Sequence, residues 1–305
     1  MKRSAWMLAV LGTLMTSQAF ALNILLSNDD GYQHPNIRAL YTVLKAQGHT
    51  VRIAAPQADQ SARGGSFFFG REVTVGHDTD PAYPDSYYIG TTETGLCQSA
   101  ECAGKEVQIQ ISGTPVMALL MGLKKVLPNP DLVIVGPNPG NNLGAINMAS
   151  GTFNVASAAL QSGIAALAVS TDLKETDPER AAHLVARLVN ALDKHRQPDG
   201  ALLPKGLGLN INLPADVPAK GVKFTRIGSY VGFEALYTDD LKQFKLPGKP
   251  GIGFQYSAAP SAAQQDDEAV WLKQGYVTVS PFSGLPESVN ATPELQKQLA
   301  HEVQP

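Results

Sequence analysis

The chain has 305 residues, of which 44% are hydrophobic and 17% charged, and its formal net charge is -3. These fractions describe an ordinary globular protein and exclude a disordered one. The mild acidity also leaves no basic surface for a nucleic-acid backbone, so anionic ligands have to be drawn by a metal ion or by local amides.

Met1 to Ala21 has the three parts of an export signal. Lys2 and Arg3 form the positive start, Ala5 to Met15 is mostly apolar, and Ala19-Phe20-Ala21 fits the cleavage pattern. The apolar run is too short and wrongly flanked for a membrane span. Cleavage predicts an exported, periplasmic or secreted protein that begins near Leu22. Losing the two positive charges of Lys2 and Arg3 takes the formal charge from -3 to -5. Roughly 284 residues then remain, enough for one large α/β domain or two smaller ones.

Ile24-Leu25-Leu26 reads as a buried strand of a parallel sheet. It runs into Ser27-Asn28-Asp29-Asp30-Gly31, where two adjacent carboxylates stand at a strand end. In open α/β sheets ligands bind beyond that edge, and paired hard oxygen donors suit a hard divalent cation. The same residues are good turn formers in their own right. Ile37, Leu40, Tyr41 and Leu44 then mark a helix over Asn36 to Gln47, stopped by Gly48. Val51 to Ala55 is a second strand. Gln57 to Gly70 is a polar loop that carries Ser61 and Arg63 and leaves the sheet at the edge that carries Asp29.

Residues 71 to 111 look irregular, with β-prone pieces at Tyr87 to Ile89 and Val107 to Ile111, the second alternating like an antiparallel or edge strand. A buried helix is expected from Val116 to Val126. Asp131 to Val135 is the clearest buried strand, and it discharges into the glycine-rich loop Gly136 to Gly144. Ser150-Gly151-Thr152 opens a helix to about Gln161. Such hydroxyls and amides form a ready anion site, and they serve equally as a plain N-cap. A strand at Ala165 to Ser170, a helix at Pro178 to Leu192 and a strand at Leu207 to Leu213 follow, with Val222 to Ile227 expected to pair nearby. The pattern weakens from Ser229 to Asp267, recovers at Tyr276 to Pro281, and closes in a polar helix near Thr292 to Val303.

The two cysteines, Cys97 and Cys102, lie close in sequence, and in an exported chain such a pair is most simply a disulfide. A zinc pair is the competing reading, although neither a second cysteine pair nor a nearby histidine completes it. His34 reads as a surface histidine beside Pro35 and Arg63 as a phosphate contact or a solvated loop residue. Phe67-Phe68-Phe69 reads as packing under the long loop in preference to stacking on a base.

Taken together, Ile24 to Gly31, Asp131 to Gly144, Leu209 to Pro214 and Gly275 to Pro281 closely resemble the survival protein E family of stationary-phase nucleotidases. The resemblance implies a Rossmann-like three-layer core with a mostly parallel sheet over residues 22–228. Residues 229–305 would form a smaller C-terminal β-hairpin and helix extension that includes an oligomerisation arm and a returning strand. It implies a metal-dependent 5'/3'-nucleotidase acting on nucleoside monophosphates, working as a homodimer or homotetramer. One divalent ion, magnesium or manganese, would be held by Asp29, Asp30, Ser61 and Asn138, with the two aspartates catalytic. Asn28 would face the nucleotide, and Ser150, Gly151 and Thr152 would grip phosphate.

Some positions depart from the family pattern. Ser61-Ala62 replaces Ser-Gly, Val135-Gly136-Pro137-Asn138 replaces Ser-Gly-Ile-Asn, Ala149 replaces an aromatic residue, and Gly65 replaces an asparagine. An export leader is also atypical. Two functions of other classes fit the same residues: a broad periplasmic acid phosphatase, and an exported metal- and phosphate-binding protein without turnover.

Overall fold

The computed structural model describes residues 21–96, 106–215, 219–244, 246 and 248–284. The expected leader, both cysteines and the expected C-terminal helix lie outside the described residues, apart from Ala21.

The chain opens with β1 (Asn23–Ser27), α1 (Pro35–Ala46), β2 (Thr50–Pro56), β3 (Thr74–His77), β4 (Ser86–Leu96) and β5 (Glu106–Ser112). It continues through α2 (Pro115–Met121), β6 (Leu132–Pro139), α3 (Gly151–Gln161), β7 (Ala166–Thr171), α4 (Pro178–Lys194) and β8 (Leu207–Leu213). Beyond these lie β9 (Val222–Phe224), β10 (Phe233–Thr238), β11 (Gly251–Tyr256), α5 (Glu268–Lys273) and β12 (Val277–Ser283).

One sheet runs in the order β3-β4-β2-β1-β6-β7-β8-β12-β9, with β5 paired to β4. From β4 to β8 the pairings are parallel, which is the mostly parallel α/β sheet expected from the sequence. Strand alternation sorts the core into two layers. Ile24 and Leu26 point to the side covered by α1 and α4, with Ile37, Leu40, Val185 and Val189. Leu25 points to the opposite side, covered by α2 and α3, with Leu119, Val155 and Ala159. β1 is therefore covered on both faces, which is why its sequence reads as a continuous apolar run.

Several elements differ from the expectation. β6 runs four residues past Val135, because a bulge between Val135 and Asn138 lets Asn138 and Pro139 pair with Ser170 and Thr171. The helix expected to reach Val126 widens into a π turn over Gly122–Val126. Val222 to Phe224 does pair near Leu207 to Leu213, but one strand removed, because β12 inserts antiparallel beside β8 and takes that edge. The weakly patterned segment after Ser229 contains a separate two-stranded antiparallel hairpin, β10 and β11. Its apolar residues Tyr237, Ile252 and Tyr256 are exposed, which erases the period that marks a half-buried strand. No helix among the described residues is long and apolar enough to cross a membrane.

Candidate active site

Parallel pairing of β2, β1 and β6 puts the loops that follow them at one edge of the sheet. The loop after β1 is braced by Asn28, which is buried. Its amide nitrogen donates to the Gly31 carbonyl at 2.9 Å and its oxygen accepts the Gly31 N–H at 3.2 Å. The structure therefore places Asn28 as the brace of its own turn. Gly31 sits at φ +104°, and a Cβ there would stand 3.3 Å from Ala58 Cα, so the first two loops touch where only glycine fits.

Asp29 is 3% exposed. Its Oδ1 accepts the Thr152 hydroxyl at 2.8 Å, and the Gly151 N–H also points at its carboxyl. A Cβ on Gly151 would lie 2.6 Å from Asp29 Cβ, so the glycine is what lets the start of α3 come this close. Burial pushes the Asp29 carboxyl above its ordinary range, while the Thr152 hydroxyl pulls it back. The Asp30 carboxyl faces its own backbone N–H and, among the described residues, no side-chain hydroxyl. Among the described residues its Oδ2 is buried without a hydrogen bond. Burial first, then the charges of Asp29 and Asp59, push its pKa up to about 8.

Asp59 is the residue that sequence reasoning missed. It accepts the Ser61 N–H at 2.8 Å and the Ser61 hydroxyl at 2.6 Å, and its charge reaches both aspartates of the first loop. An Asp two residues before a loop serine is the local signal for such a turn. The neighbouring Gln60 N–H donates to the Asp29 carbonyl at 2.7 Å, which ties this loop to the first. Ala62 adopts φ +62°, a left-handed conformation that accounts for the glycine of the family pattern at this place. Gly64 N–H then reaches the Ala149 carbonyl at 2.9 Å, joining the loop to the approach of α3.

Asn138 stands on the bulged end of β6. Its amide nitrogen donates to the Gly140 carbonyl at 2.6 Å, which commits Nδ2 and leaves Oδ1 as the atom with lone pairs to offer. Ser150 caps α3, its oxygen accepting the Phe153 N–H at 3.0 Å. The structure thus brings Asp29, Asp30, Gly151 and Thr152 together, with Asp59 and Ser61 close by. Two residues expected to grip phosphate have other partners, since Ser150 serves the helix and Thr152 serves Asp29.

His34 also has a structural partner, its Nδ1 accepting the Asn36 N–H at 3.3 Å to cap α1. Arg63 is exposed. The packing expected of the three phenylalanines is not found. Phe67, Phe68 and Phe69 are 45%, 37% and 85% exposed, because Gly64 and Gly65 lie against residues 148–154 and carry the following loop outward.

Among the described residues no group of three or more His, Cys, Asp or Glu has metal-holding geometry. A cation here would rest on two carboxylates and neutral oxygens. That donor set fits a hard divalent ion, and the orphaned Asp30 oxygen, acted on by the charges of Asp29 and Asp59, is the kind of group such an ion satisfies.

A sequence model described as Survival protein SurE matches residues 24–232. The 5'-nucleotidase SurE of Pelotomaculum thermopropionicum is 32% identical over 267 residues, covering 85% of this chain and 88% of the relative. The enzyme of the same name from Nitratidesulfovibrio vulgaris (strain DP4) is 32% identical over 264 residues, covering 86% of this chain and 93% of the relative. The solved structure of the Sure protein from Aquifex aeolicus superimposes with a TM-score of 0.66 at 26% identity, covering 92% of this chain and 98% of that one. The chain belongs to the survival protein SurE family.

Proposed function

We propose that this chain is a divalent-metal-dependent phosphomonoesterase that hydrolyses nucleoside monophosphates. Relatives that share most of its length carry the name 5'-nucleotidase, which supports nucleotide hydrolysis. The observation that carries the metal is Asp30, a half-buried carboxylate whose Oδ2 is buried and unsatisfied, within reach of the charges of Asp29 and Asp59. Like charges that raise one another's pKa at a half-buried rim are eased by a cation.

Asp29, Asp30, Ser61 and Asn138 would hold magnesium or manganese. When bound, the ion supplies charge neutralisation for a phosphoryl group and acidity for a water nucleophile. Thr152 and the Gly151 N–H fix Asp29 in one orientation, so that a carboxylate oxygen stays aimed at the rim. Asp59 takes the Ser61 hydroxyl hydrogen, which turns the lone pairs of Ser61 Oγ away from Asp59. Of the first-turn amides of α3, Gly151 N–H faces Asp29 and Phe153 N–H is capped by Ser150, so the Thr152 N–H, at the positive end of the helix, is the one that offers positive charge to the transferred group. Hydrolysis breaks the ester P–O bond and yields a nucleoside and inorganic phosphate.

The reading is tested by assaying phosphate release from nucleoside 5'- and 3'-monophosphates, an aryl phosphate and an alkyl phosphate, each with magnesium or manganese. Turnover that favours nucleotides supports the proposal. Equal turnover of all four makes the protein a broad phosphatase, and binding without release makes it a carrier.

A further inference from the structure

Two of the sequence blocks that mark the family, Leu209 to Pro214 and Gly275 to Pro281, supply none of the site residues above. Both meet the glycine-rich loop at one buried side chain. Glu268 begins α5 with no solvent exposure. Its Oε1 accepts the Gly144 N–H at 3.0 Å. Its Oε2 accepts the Asn210 side-chain amide at 3.0 Å and the Ser280 hydroxyl at 2.7 Å.

Donors from three segments therefore bond one carboxylate, the Asn147 side chain of the same glycine-rich stretch also faces it, and none of them is a cation. Burial pushes its pKa up to about 7, and these hydrogen bonds pull it back. A buried carboxylate satisfied only by neutral groups is poor value as stability alone, since apolar packing would do as well or better. What it does is fix a backbone position. Gly144 lies at φ +47°, and a Cβ there would strike Val231 at 2.6 Å. Two residues earlier, the Asn142 carbonyl accepts the amides of Asn210 and Asn212, each at 3.0 Å. The Asn142 N–H donates to Asn212 Oδ1 at 3.0 Å, and its side chain donates to Ser170 at 2.9 Å.

From Gly144 onward the chain has no slack. Ile146 N–H bonds the Leu143 carbonyl at 3.0 Å, Ala149 N–H bonds Ile146 at 2.9 Å, and Ser150 N–H bonds Asn147 at 3.3 Å. The place of Gly144 thereby sets the place of the α3 start, where Gly151 and Thr152 face Asp29. We propose that Glu268 is a positioning residue of the active site, holding the loop 142–144 so that the first turn of α3 is aimed at the substrate phosphate. This rests on the phosphatase reading above.

Glu268→Gln tests it with almost no change of shape. A glutamine has one acceptor oxygen, so its NH2 must face a donor on either the Gly144 or the Asn210 side. At a temperature where circular dichroism shows the protein folded, kcat/KM for a nucleoside monophosphate should fall at least tenfold. Calorimetric affinity for inorganic phosphate should fall by a similar factor, and amide exchange over 142–152 should quicken relative to β1. Ser280→Ala removes one donor without a clash, should give a smaller loss in the same direction, and decides the matter if Glu268→Gln fails to fold. Lower thermal stability with kinetic constants and phosphate affinity within twofold of the parent would make Glu268 merely structural and overturn the proposal. If the parent hydrolyses no phosphomonoester, the phosphatase reading fails by itself, and phosphate affinity with exchange still judges Glu268.

Discussion

Thr152 donates its hydroxyl hydrogen to Asp29 Oδ1 at 2.8 Å, joining the start of α3 to the end of β1 across 123 residues of sequence. Both side chains are buried, so the bond is not shared with solvent. It changes what Thr152 is for. A hydroxyl reserved for a carboxylate orients that carboxylate, and with the flanking amides of Gly151 and Phe153 engaged by Asp29 and Ser150 it is the Thr152 N–H that remains for phosphate.

Thr152→Val keeps the shape and removes the donor. Hydrogen bonds to charged groups contribute roughly 1.5–3 kcal/mol, so kcat/KM should fall about ten- to a hundredfold. Because Asp29 loses its orientation, affinity for manganese should fall as well, while Thr152→Ser should retain most of both. Activity and a manganese titration on each variant check this, and a variant that loses activity with its metal affinity intact would return Thr152 to direct phosphate binding.

Asp30 makes the metal-free protein sensitive to pH. Its folded-state pKa is raised to about 8 from an ordinary 3.8, so the folded form holds the proton more tightly than the unfolded chain. The associated stability is complete below about pH 4 and is lost as pH rises through about 8. In chelator, the melting temperature should therefore decline across that window more steeply for wild type than for Asp30→Asn. Thermal melts at several pH values read the difference. Parallel curves for the two proteins would show that Asp30 carries no such strain. Asp29→Asn should also make the metal-free protein no less stable than metal-free wild type, since it relieves the same repulsion while its amide oxygen still accepts from Thr152.

Ala62 occupies the left-handed region at φ +62°. A non-glycine residue there costs about 1–2 kcal/mol, partly offset because glycine loses more chain entropy on folding. Ala62→Gly should stabilise the protein by up to about 1 kcal/mol and leave turnover within twofold. Chemical denaturation measures it, and a destabilised Ala62→Gly would refute the strain.

Much of this was legible because parallel strands write plainly. Ile24 to Leu26 and Leu132 to Val135 are continuous apolar runs ending in polar residues, and topology alone gathers their loops at one rim. Hydrogen-bond partners were not legible. Nothing in Ser150-Gly151-Thr152 says that the serine caps and the threonine turns to Asp29, since both hydroxyls suit either task. Asp59 was hidden in a loop read for Ser61, Arg63 and its three phenylalanines. Glu268 was hidden because exposed apolar residues on the β10–β11 hairpin blur the pattern before it. An acidic pair, Asp267 and Glu268, directly ahead of Ala269-Val270-Trp271-Leu272 was the one local sign of a helix start there.

The proposed export and the proposed Cys97–Cys102 bridge together predict a mass. Protein recovered from the periplasm should begin at Leu22, and bridging of Cys97 to Cys102 should remove two hydrogens. Intact mass spectrometry with and without reductant reads both. Retained residues 1–21, or two alkylatable thiols, would contradict the respective claim.

The divalent ion is the centre of the proposed chemistry. The direct measurement is phosphate release from a nucleoside monophosphate by the mature chain, first in chelator and then after adding back manganese or magnesium, for wild type, Asp30→Asn and Ser61→Ala. Wild type should lose activity in chelator and regain it on add-back. Asp30→Asn should stay inactive throughout, and Ser61→Ala, lacking only a neutral donor, should be rescued at least partly by excess metal. Wild-type hydrolysis that proceeds at the same rate in chelator would contradict the metal mechanism.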